Sequence, residues 1–249
     1  MSLKDINPYI LSMELRKDKI ESFGKYPFCL PAIKNLNELR FHPKVTFIVG
    51  ENGTGKSTLL EAIAVAYGFN PEGGTKNFNF SSMNTHSELY DYIKLIKGVK
   101  RPKTGFFLRA ESFYNVASII DELDKGDGGP KIIDSYGGLS LHEQSHGESF
   151  LAIFLNKFGA KGLYILDEPE AALSPSRQMT IITRLNELVG QESQFIIATH
   201  SPIIMAYPDS VIYEIKEDLK IVEYESTEHY QLMKTFLNNT HRMLDLLME

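Results

Sequence analysis

A glycine-rich segment containing a lysine and two hydroxyl residues has the composition of a phosphate-binding loop. Its sequence, GENGTGKS from Gly50 to Ser57, matches the spacing G-x-x-x-x-G-K-[ST]. Glycines let a backbone curl so that its N–H groups converge on phosphate oxygens at a helix N-terminus. The residues expected to contact a nucleotide are Gly50, Asn52, Gly53, Thr54, Gly55, Lys56, Ser57 and Thr58. Lys56 is predicted to reach the β- and γ-phosphates of ATP, and the Ser57 hydroxyl to bind magnesium.

Two carboxylates end an apolar segment further along the chain. The sequence LYILDEPE, residues 163–170, begins with the apolar composition of a buried strand. Asp167 is predicted to hold magnesium through water, and Glu168 to act as general base toward an attacking water. The alternative is an acidic strand end that merely faces solvent, which the presence of a phosphate loop disfavours.

A histidine ends the next apolar segment, in the sequence ATHSP at residues 198–202. A lone histidine is more often structural than catalytic. In open α/β sheets, however, ligands bind at the carboxyl ends of the strands, where His200 is placed by the pattern. His200 is therefore predicted to contact the γ-phosphate and to act with Glu168 in catalysis.

A further histidine-containing segment allows two interpretations. HEQSH matches the zinc-peptidase pattern H-E-x-x-H, with His142 and His146 as metal ligands and Glu143 activating water. That pattern needs one helix running through both histidines. Ser145 and Glu148 instead form the S-x-x-E spacing of a capping box before an apolar run, which is typical of a helix start. The sequence therefore favours a helix beginning at Ser145 and predicts no stoichiometric zinc.

Segments with strand and helix periodicity alternate along the chain. Strands are predicted in YILSMELRK, KVTFIVG, GFFLR, GLYILDEPE, QFIIATH, VIYEI and KIVEYE, and helices in KSTLLEAIAVAY, HGESFLAIFLNKF and PSRQMTIITRLNELVG. A capping-box pattern from Thr85 to Glu88 predicts a short helix over residues 85–98, and a closing helix is predicted from Tyr230 to Met248. This alternation predicts an α/β fold, with residues 1–249 forming one domain that carries a helical insertion at about 70–140.

The composition excludes several classes of protein. The chain has 249 residues, 43% of them hydrophobic, and a formal net charge of −6. A protein with this net negative charge does not attract nucleic acid through its overall electrostatic field. Any DNA binding would need a local basic patch and would be weak and salt-dependent. The single cysteine, Cys29, cannot form an intramolecular disulfide. With no leader pattern and no run of about 18 apolar residues, the expectation is a cytoplasmic protein without membrane insertion.

Together, GENGTGKST, LYILDEPEAALSP and ATHSP resemble the ATPase domain of the ABC superfamily. The segment QSHGES resembles its signature motif, with Ser145, Gly147 and Glu148 in the expected positions. This resemblance extends from Val45 to about Pro202. The sequence DEPEAALSP is most similar to that of the stand-alone, RecF-like and chromosome-type members. It implies a P-loop NTPase fold with a mostly parallel central sheet and N-terminal antiparallel strands.

The resemblance also implies a mechanism. In this superfamily the signature segment of one subunit completes the ATP site of a second, so that ATP and magnesium hold together a head-to-tail homodimer. Ser145, Gly147 and Glu148 are accordingly predicted to contact the ATP of a partner copy. Hydrolysis of ATP to ADP and phosphate is the expected reaction.

The chain departs from the family pattern at two places. No glutamine occupies the loop that senses magnesium, where FFLRAES offers Arg109 or Glu111 instead. Ser174 replaces the usual aspartate after the acidic strand and, before a proline, would make an ordinary helix N-cap. Tyr26 and Phe28 are the candidates for stacking on adenine.

Three hypotheses for the function remain open on the sequence. The first is a stand-alone ATPase whose cycle acts on an unidentified macromolecular partner. The second is the ATP-binding subunit of an ABC transporter, which the missing glutamine disfavours. The third is a zinc hydrolase built on His142, Glu143 and His146, which a measurement of metal content would reveal.

Overall fold

The computed structural model describes residues 8–76, 87–109, 124, 131, 133–134, 138 and 146–249. Its strands are β1 (Ile10–Leu15), β2 (Glu38–Arg40), β3 (Val45–Gly50), β4 (Ile93–Lys97), β5 (Thr104–Arg109), β6 (Gly162–Asp167), β7 (Gln194–Ala198), β8 (Ser210–Ile215) and β9 (Leu219–Val222). Its α-helices are α1 (Pro31–Lys34), α2 (Lys56–Tyr67), α3 (His146–Ala152), α4 (Pro175–Gly190), α5 (Pro202–Met205), α6 (Glu228–Asn238) and α7 (Thr240–Met248). A π-helical turn, Ile153–Lys157, extends α3.

The larger sheet has the strand order β5-β6-β7-β3-β8-β9. Every neighbouring pair is parallel except β8 and β9, which form an antiparallel hairpin at one edge. The strands β6, β7 and β3 are therefore adjacent, and their carboxyl ends lie along one edge of the sheet. Because the acidic segment, His200 and the phosphate loop follow these strands, the topology brings the three motifs together.

Each face of this sheet buries its own apolar core. Phe47, Tyr164 and Phe195 point to the face covered by α3 and α4. Their neighbours in sequence point to the opposite face, where α2 and the smaller sheet pack; these are Ile48, Ile165 and Ile196. All six side chains have no exposed surface. Burial on both faces explains why the strands are continuously apolar rather than alternating.

A three-stranded antiparallel sheet, β2-β1-β4, covers the α2 side of the molecule. The strand β4 of this sheet shows that the prediction of a helix over residues 85–98 is wrong. Of the described residues 87–98, Glu88–Tyr92 alone is helical, as a 3-10 turn capped by the Ser87 hydroxyl, and residues 93–97 pair with β1. The sequence IKLIK has strand periodicity, and Ile93 is buried in the core beside α2 while Lys94 is exposed. Burial of this alternating face, together with the ladder bonds to β1, outweighs the local helix signal.

The closing helix is also interrupted. The predicted span from Tyr230 to Met248 contains α6 and α7, which are separated at Asn239. The backbone of Asn239 leaves the helical region, with φ −135° and ψ 40°, and its side-chain amide donates to the carbonyl of Thr235 at 3.2 Å. Asparagine hydrogen-bonds its own backbone in this way and so competes with a continuous helix.

One buried side chain ties the two sheets together. Gln194, at the start of β7, accepts from the backbone N–H groups of Tyr9 (2.8 Å) and Ile10 (2.9 Å) through its Oε1. Its Nε2 donates to the carbonyls of Ile10 (2.9 Å) and His42 (3.1 Å). A single amide thus satisfies four backbone groups in a side chain that is 1% exposed.

Replacing Gln194 with leucine is expected to destabilise the protein by about 3 kcal/mol, because it leaves buried backbone groups without partners. The melting temperature should fall by about 6–12 °C. Calorimetry against Gln191→Leu, at an exposed glutamine just after α4, provides the control. Equal melting temperatures for the two variants would show that Gln194 does not couple the sheets.

The predicted α/β class, with a mostly parallel sheet and antiparallel N-terminal strands, is confirmed. Most of the predicted insertion at about 70–140 lies outside the described residues, so its helical character stays a prediction, as does the single domain. Within the described ranges, no helix is long and apolar enough to span a membrane.

Candidate functional site

The phosphate loop joins β3 to α2, as predicted. Gly50 ends β3, and Gly55 is the N-cap residue of α2 with a φ of 98°. A Cβ at Gly50 would lie 2.7 Å from the carbonyl oxygen of Ile215, and a Cβ at Gly55 would lie 3.1 Å from Leu30. Glycine fits both positions because it has no side chain to clash and tolerates a left-handed backbone. The loop therefore presents the first N–H groups of α2 at the carboxyl edge of the sheet.

The outer residues of the loop form an exposed turn. Asn52 and Gly53 are exposed, and Gly53 has a φ of 79°. The carbonyl of Thr54 accepts from the N–H of Ala32 at 3.0 Å. This hydrogen bond ties the N-terminal turn of α1 to the loop, while the exposed tip of the loop stays accessible to a ligand.

The side chain of Lys56 folds back over its own loop. Its Nζ donates to the carbonyls of Gly50 (2.7 Å) and Glu51 (3.0 Å), and the residue is 4% exposed. Burial lowers the pKa of Lys56, and the nearby carboxylates of Glu168 and Asp167 oppose that shift. The ammonium group of Lys56 can therefore release these two carbonyl oxygens and donate to phosphate oxygens instead, while it stays within the loop.

A hydroxyl and a carboxylate meet where α2 faces the end of β6. Ser57 Oγ donates to Asp167 Oδ1 at 3.1 Å, and Asp167 is 4% exposed. Both groups offer hard oxygen ligands, the type that magnesium binds through one or two side chains while keeping several waters. The donor set therefore fits the predicted ion.

The residue after Asp167 has an unusual backbone. Glu168 has a φ of 50°, in the left-handed region that a residue with a side chain rarely adopts. Its N–H donates to the carbonyl of Ala198 at 2.9 Å, which fixes this conformation to the end of β7. Glu168 Oε1 lies 3.4 Å from His200 Nε2. Backbone strain at such a position is typical of functional sites, and here it aims the carboxylate at the histidine.

His200 is held by two residues that the sequence analysis did not identify. Its N–H donates to Glu170 Oε1 at 2.5 Å, and its Nδ1 lies 2.9 Å from Nε2 of His229 on α6. Burial raises the pKa of Glu170, and the N–H of His200 works against that shift. The DEPE spacing could have indicated Glu170. His229 lies 29 residues away in an ordinary helical pattern, so nothing in the sequence marks it.

The described part of the signature-like segment begins α3. Gly147 is buried, and a Cβ there would lie 2.5 Å from the carbonyl of Ala172 and 2.7 Å from Nη1 of Arg177. Glu148 Oε1 lies 3.3 Å from Nη2 of Arg177. Ser145 lies outside the described residues. The start of α3 is thus packed against the segment that follows the acidic strand, and its contact with a nucleotide stays a prediction.

Ordinary hydrogen bonds hold Arg109 and Ser174, the two described residues at positions where the chain departs from the family pattern. Arg109 Nη1 donates to Glu61 Oε2 of α2 at 2.5 Å, and Glu111 lies outside the described residues. The Ser174 hydroxyl accepts from the N–H of Arg177 at 3.4 Å and so caps α4, as predicted. Arg109 therefore ties β5 to α2.

The two candidate adenine-stacking aromatics differ in position. Phe28 is 5% exposed and packs edge-on against Tyr92, with ring centroids 4.8 Å apart. Tyr26 is 62% exposed, and its hydroxyl lies 3.5 Å from Thr58 Oγ1 of α2. Only Tyr26 of this pair presents an open ring beside the phosphate loop.

Most residues of the proposed zinc site lie outside the part of the chain that the structure describes. His142 and Glu143 are not among the described residues, and His146 begins α3. In the ranges that the structure covers, no group of three or more histidine, cysteine, aspartate or glutamate residues is placed to hold a metal ion. The expectation of no stoichiometric zinc stays a prediction.

A glycine loop between a buried strand and a helix, with an acidic strand end facing its serine, defines a P-loop NTPase. The comparisons with known proteins identify the family. A family model described as "AAA domain" matches residues 19–234, most of the chain. The chain belongs to this family, and the prediction of an ABC-superfamily ATPase domain is confirmed. The predicted enzyme class, an ATPase, is confirmed with it.

Curated relatives include two kinds of ATP-binding protein. The cytochrome c biogenesis ATP-binding export protein CcmA of Legionella pneumophila is 28% identical over 192 residues, covering 72% of this chain and 92% of CcmA. The ribose import ATP-binding protein RbsA of Yersinia pestis is 27% identical over 188 residues, covering 67% of this chain and 35% of RbsA. The chain therefore spans nearly all of the first relative and about a third of the second.

Solved structures show looser similarity. CbiO1 of Clostridium perfringens, part of an ABC transporter complex, is 19% identical with a TM-score of 0.49, covering 97% of this chain and all of CbiO1. The SMC head domain of Thermotoga maritima is 17% identical with a TM-score of 0.42, covering 86% of this chain and 98% of that domain. These values are too low to support a comparison of function.

Proposed function

We propose that the chain is the ATP-hydrolysing subunit of a transporter-type ABC assembly, with its reaction centre between the phosphate loop and the ends of β6 and β7. The observation that carries this proposal is the meeting of Glu168 and His200 beside the Ser57–Asp167 pair. These groups supply a base, a phosphate-facing ring and hard oxygen ligands at one edge of the sheet.

In this proposal Lys56 and the N–H groups of the loop bind the β- and γ-phosphates. Ser57 and Asp167 would hold magnesium, directly or through water. When bound, magnesium neutralises charge that develops on the phosphate oxygens. Tyr26 would stack on the adenine, a role supported by its exposed ring and by the 3.5 Å between its hydroxyl and Thr58 Oγ1.

Glu168 orients the attacking water and takes its proton as the oxygen reaches the γ-phosphorus. His200 would present its Nε2, which lies 3.4 Å from Oε1 of that carboxylate, to an oxygen of the γ-phosphate. ADP then leaves with the bond between the β-bridging oxygen and the γ-phosphorus broken. Water and ATP are converted to ADP and phosphate, with the proton held at Glu168 until the products leave.

The Lys56→Ala variant is expected to bind ATP about 10- to 100-fold more weakly, because it loses a charge-assisted contact to phosphate. Calorimetric titration with ATP measures this directly. Lys220→Ala, which removes a lysine with a 74% exposed side chain, serves as the matched control. If a folded Lys56→Ala protein bound ATP as well as this control, the loop would not be the phosphate site.

A second subunit is part of the proposal. Ser145, Gly147 and Glu148 would face the γ-phosphate of a partner copy at the N-terminus of α3, where the helix dipole favours an anion. The resemblance of QSHGES to the signature motif supports this arrangement. Dimerisation would then depend on ATP.

The names of the curated relatives favour the hypothesis of a transporter subunit. The sequence DEPEAALSP favours the other hypothesis, a stand-alone ATPase. Both relatives named above are ATP-binding proteins of export or import. A membrane partner would therefore receive the closing motion of the dimer. Membrane fractionation of cells that produce the protein tests this. The transporter proposal expects co-sedimentation with membranes, whereas a protein left in the supernatant with ATPase activity intact would favour the stand-alone alternative.

A further inference from the structure

A second histidine lies behind the one that faces the reaction centre. His200 Nδ1 is 2.9 Å from His229 Nε2, and the two rings meet edge to face with centroids 5.0 Å apart. On its other side, His200 Nε2 is 3.4 Å from Glu168 Oε1. The rings thus form a line from α6 to the carboxylate of the proposed base.

The single hydrogen bond between the rings can be made in two ways. If His200 donates through Nδ1, its Nε2 is a bare lone pair facing the Glu168 carboxylate, and His229 Nδ1 carries a proton. That proton would be buried without an acceptor, because neither His229 Nδ1 nor His200 Nε2 has a hydrogen-bond partner within the described part of the chain. Unsatisfied buried donors and opposed lone pairs both cost free energy.

In the reverse arrangement His229 donates from Nε2 to Nδ1 of His200. The proton of His200 then lies on Nε2, directed toward Glu168 and available to an oxygen of the γ-phosphate. Burial, and then the charge of Lys56, lower the pKa of His200, while the carboxylate of Glu168 opposes that shift. A lowered pKa favours the neutral ring, and the tautomer of the neutral ring decides whether Nε2 can donate. This arrangement places a donor rather than a second lone pair 3.4 Å from the Glu168 carboxylate, and it leaves a lone pair rather than a proton unsatisfied at His229 Nδ1. The second arrangement is therefore favoured.

The position of His229 is itself fixed by buried contacts at the start of α6. The N–H of Glu228 donates to Oε1 of Glu214 at 2.7 Å, and Glu214 is a 5% exposed residue of β8. Thr227 is fully buried, and its hydroxyl donates to the carbonyl of Tyr224 at 2.7 Å. These bonds anchor the first turn of α6 to the central sheet, so His229 approaches His200 on a rigid support.

We propose that His229 is a positioning residue, which donates to Nδ1 of His200 and thereby holds the Nε2–H tautomer aimed at the γ-phosphate. This inference rests on the proposed function of His200 in ATP hydrolysis. It gives helix α6 a part in setting up the reaction centre, through the orientation of His200.

His229→Leu is expected to lower kcat about tenfold with little change in ATP affinity, less than the hundred- to thousandfold loss that follows removal of a donor itself. His229→Gln keeps an N–H donor at the same reach and should restore most of kcat. His241→Leu, at an exposed histidine of α7, is the matched control. Circular dichroism confirms that each variant is folded.

The tautomer can be read independently of activity. Long-range ¹⁵N–¹H correlation spectra of ¹⁵N-histidine-labelled protein, recorded without nucleotide, distinguish the two tautomers of each ring. His200 is expected as the Nε2–H form in the parent and in His229→Gln, and as a mixture or the Nδ1–H form in His229→Leu.

The outcomes separate this inference from the proposed function. A parent protein without ATPase activity would contradict the proposed function, while the spectra would still test the role of His229. An active parent in which His229→Leu keeps both the Nε2–H tautomer and the full kcat would overturn the inference alone. A loss of kcat in Leu and Gln variants alike, with unchanged spectra, would also overturn it and reduce His229 to a packing residue.

Discussion

The Glu168→Gln variant is expected to bind ATP normally and to hydrolyse it about a hundred- to ten-thousandfold more slowly, the contribution typical of a general base. Glutamine preserves the size of the side chain but cannot accept the proton of the attacking water. The left-handed backbone at this position, φ 50°, does not depend on the carboxylate charge, because the bond from its N–H to the carbonyl of Ala198 fixes it. Release of phosphate under single-turnover conditions measures the chemical step.

Glu187→Gln supplies the matched control, since Glu187 lies exposed on α4 and pairs with Arg184 at 2.8 Å. It should leave both binding and hydrolysis unchanged. Hydrolysis by Glu168→Gln at the rate of this control would mean that another group, such as Glu170, accepts the proton. Oε1 of Glu170 already accepts from the N–H of His200, so only its buried Oε2 would be left to take the proton.

The sequence was sufficient to predict which residues the fold brings together where they belong to contiguous motifs. The loop from Gly50 to Ser57 needs glycines, a lysine and a hydroxyl at fixed spacing, and the end of β6 needs its acids side by side. The ends of the apolar strands then determine where these groups meet, because parallel strands place them at one edge. Asp167 and Ser57 are 110 residues apart in the chain, yet their motifs predict that both lie at this edge.

The sequence was not sufficient where a long-range contact overrides a local preference. Residues 93–97 form a strand because β1 offers them a ladder and α2 offers Ile93 a buried surface. Neither partner can be read from a local capping pattern. Gln194 and His229 are similar cases, since each acts through groups more than 25 residues away. Their chemistry depends on the packing of whole elements rather than on a motif.

A composite site predicts a specific behaviour of the Glu168→Gln protein. Because it binds ATP without turning it over, it should accumulate as a dimer when ATP and magnesium are present. Light scattering after size exclusion should give twice the mass of the 28.2 kDa chain, and the monomer mass without nucleotide. A protein that stays monomeric at saturating ATP would remove the shared site and leave an independent one.

Adding Ser145→Arg to Glu168→Gln tests which surface closes that dimer. Ser145 suits the test better than Gly147, because any side chain at Gly147 would clash with the carbonyl of Ala172 within its own subunit. An arginine at position 145 should leave ATP binding by the monomer nearly intact and abolish dimerisation, since the clash arises only against a second copy.

Thr183→Arg in the same Glu168→Gln background is the control for added charge and bulk, as Thr183 is an exposed hydroxyl residue of α4. It should dimerise with ATP as the parent variant does. If Ser145→Arg dimerised equally well, α3 would not face the partner's nucleotide. If it lost ATP binding as a monomer, Ser145 would belong to the site of its own subunit, and the signature-like segment would act in cis.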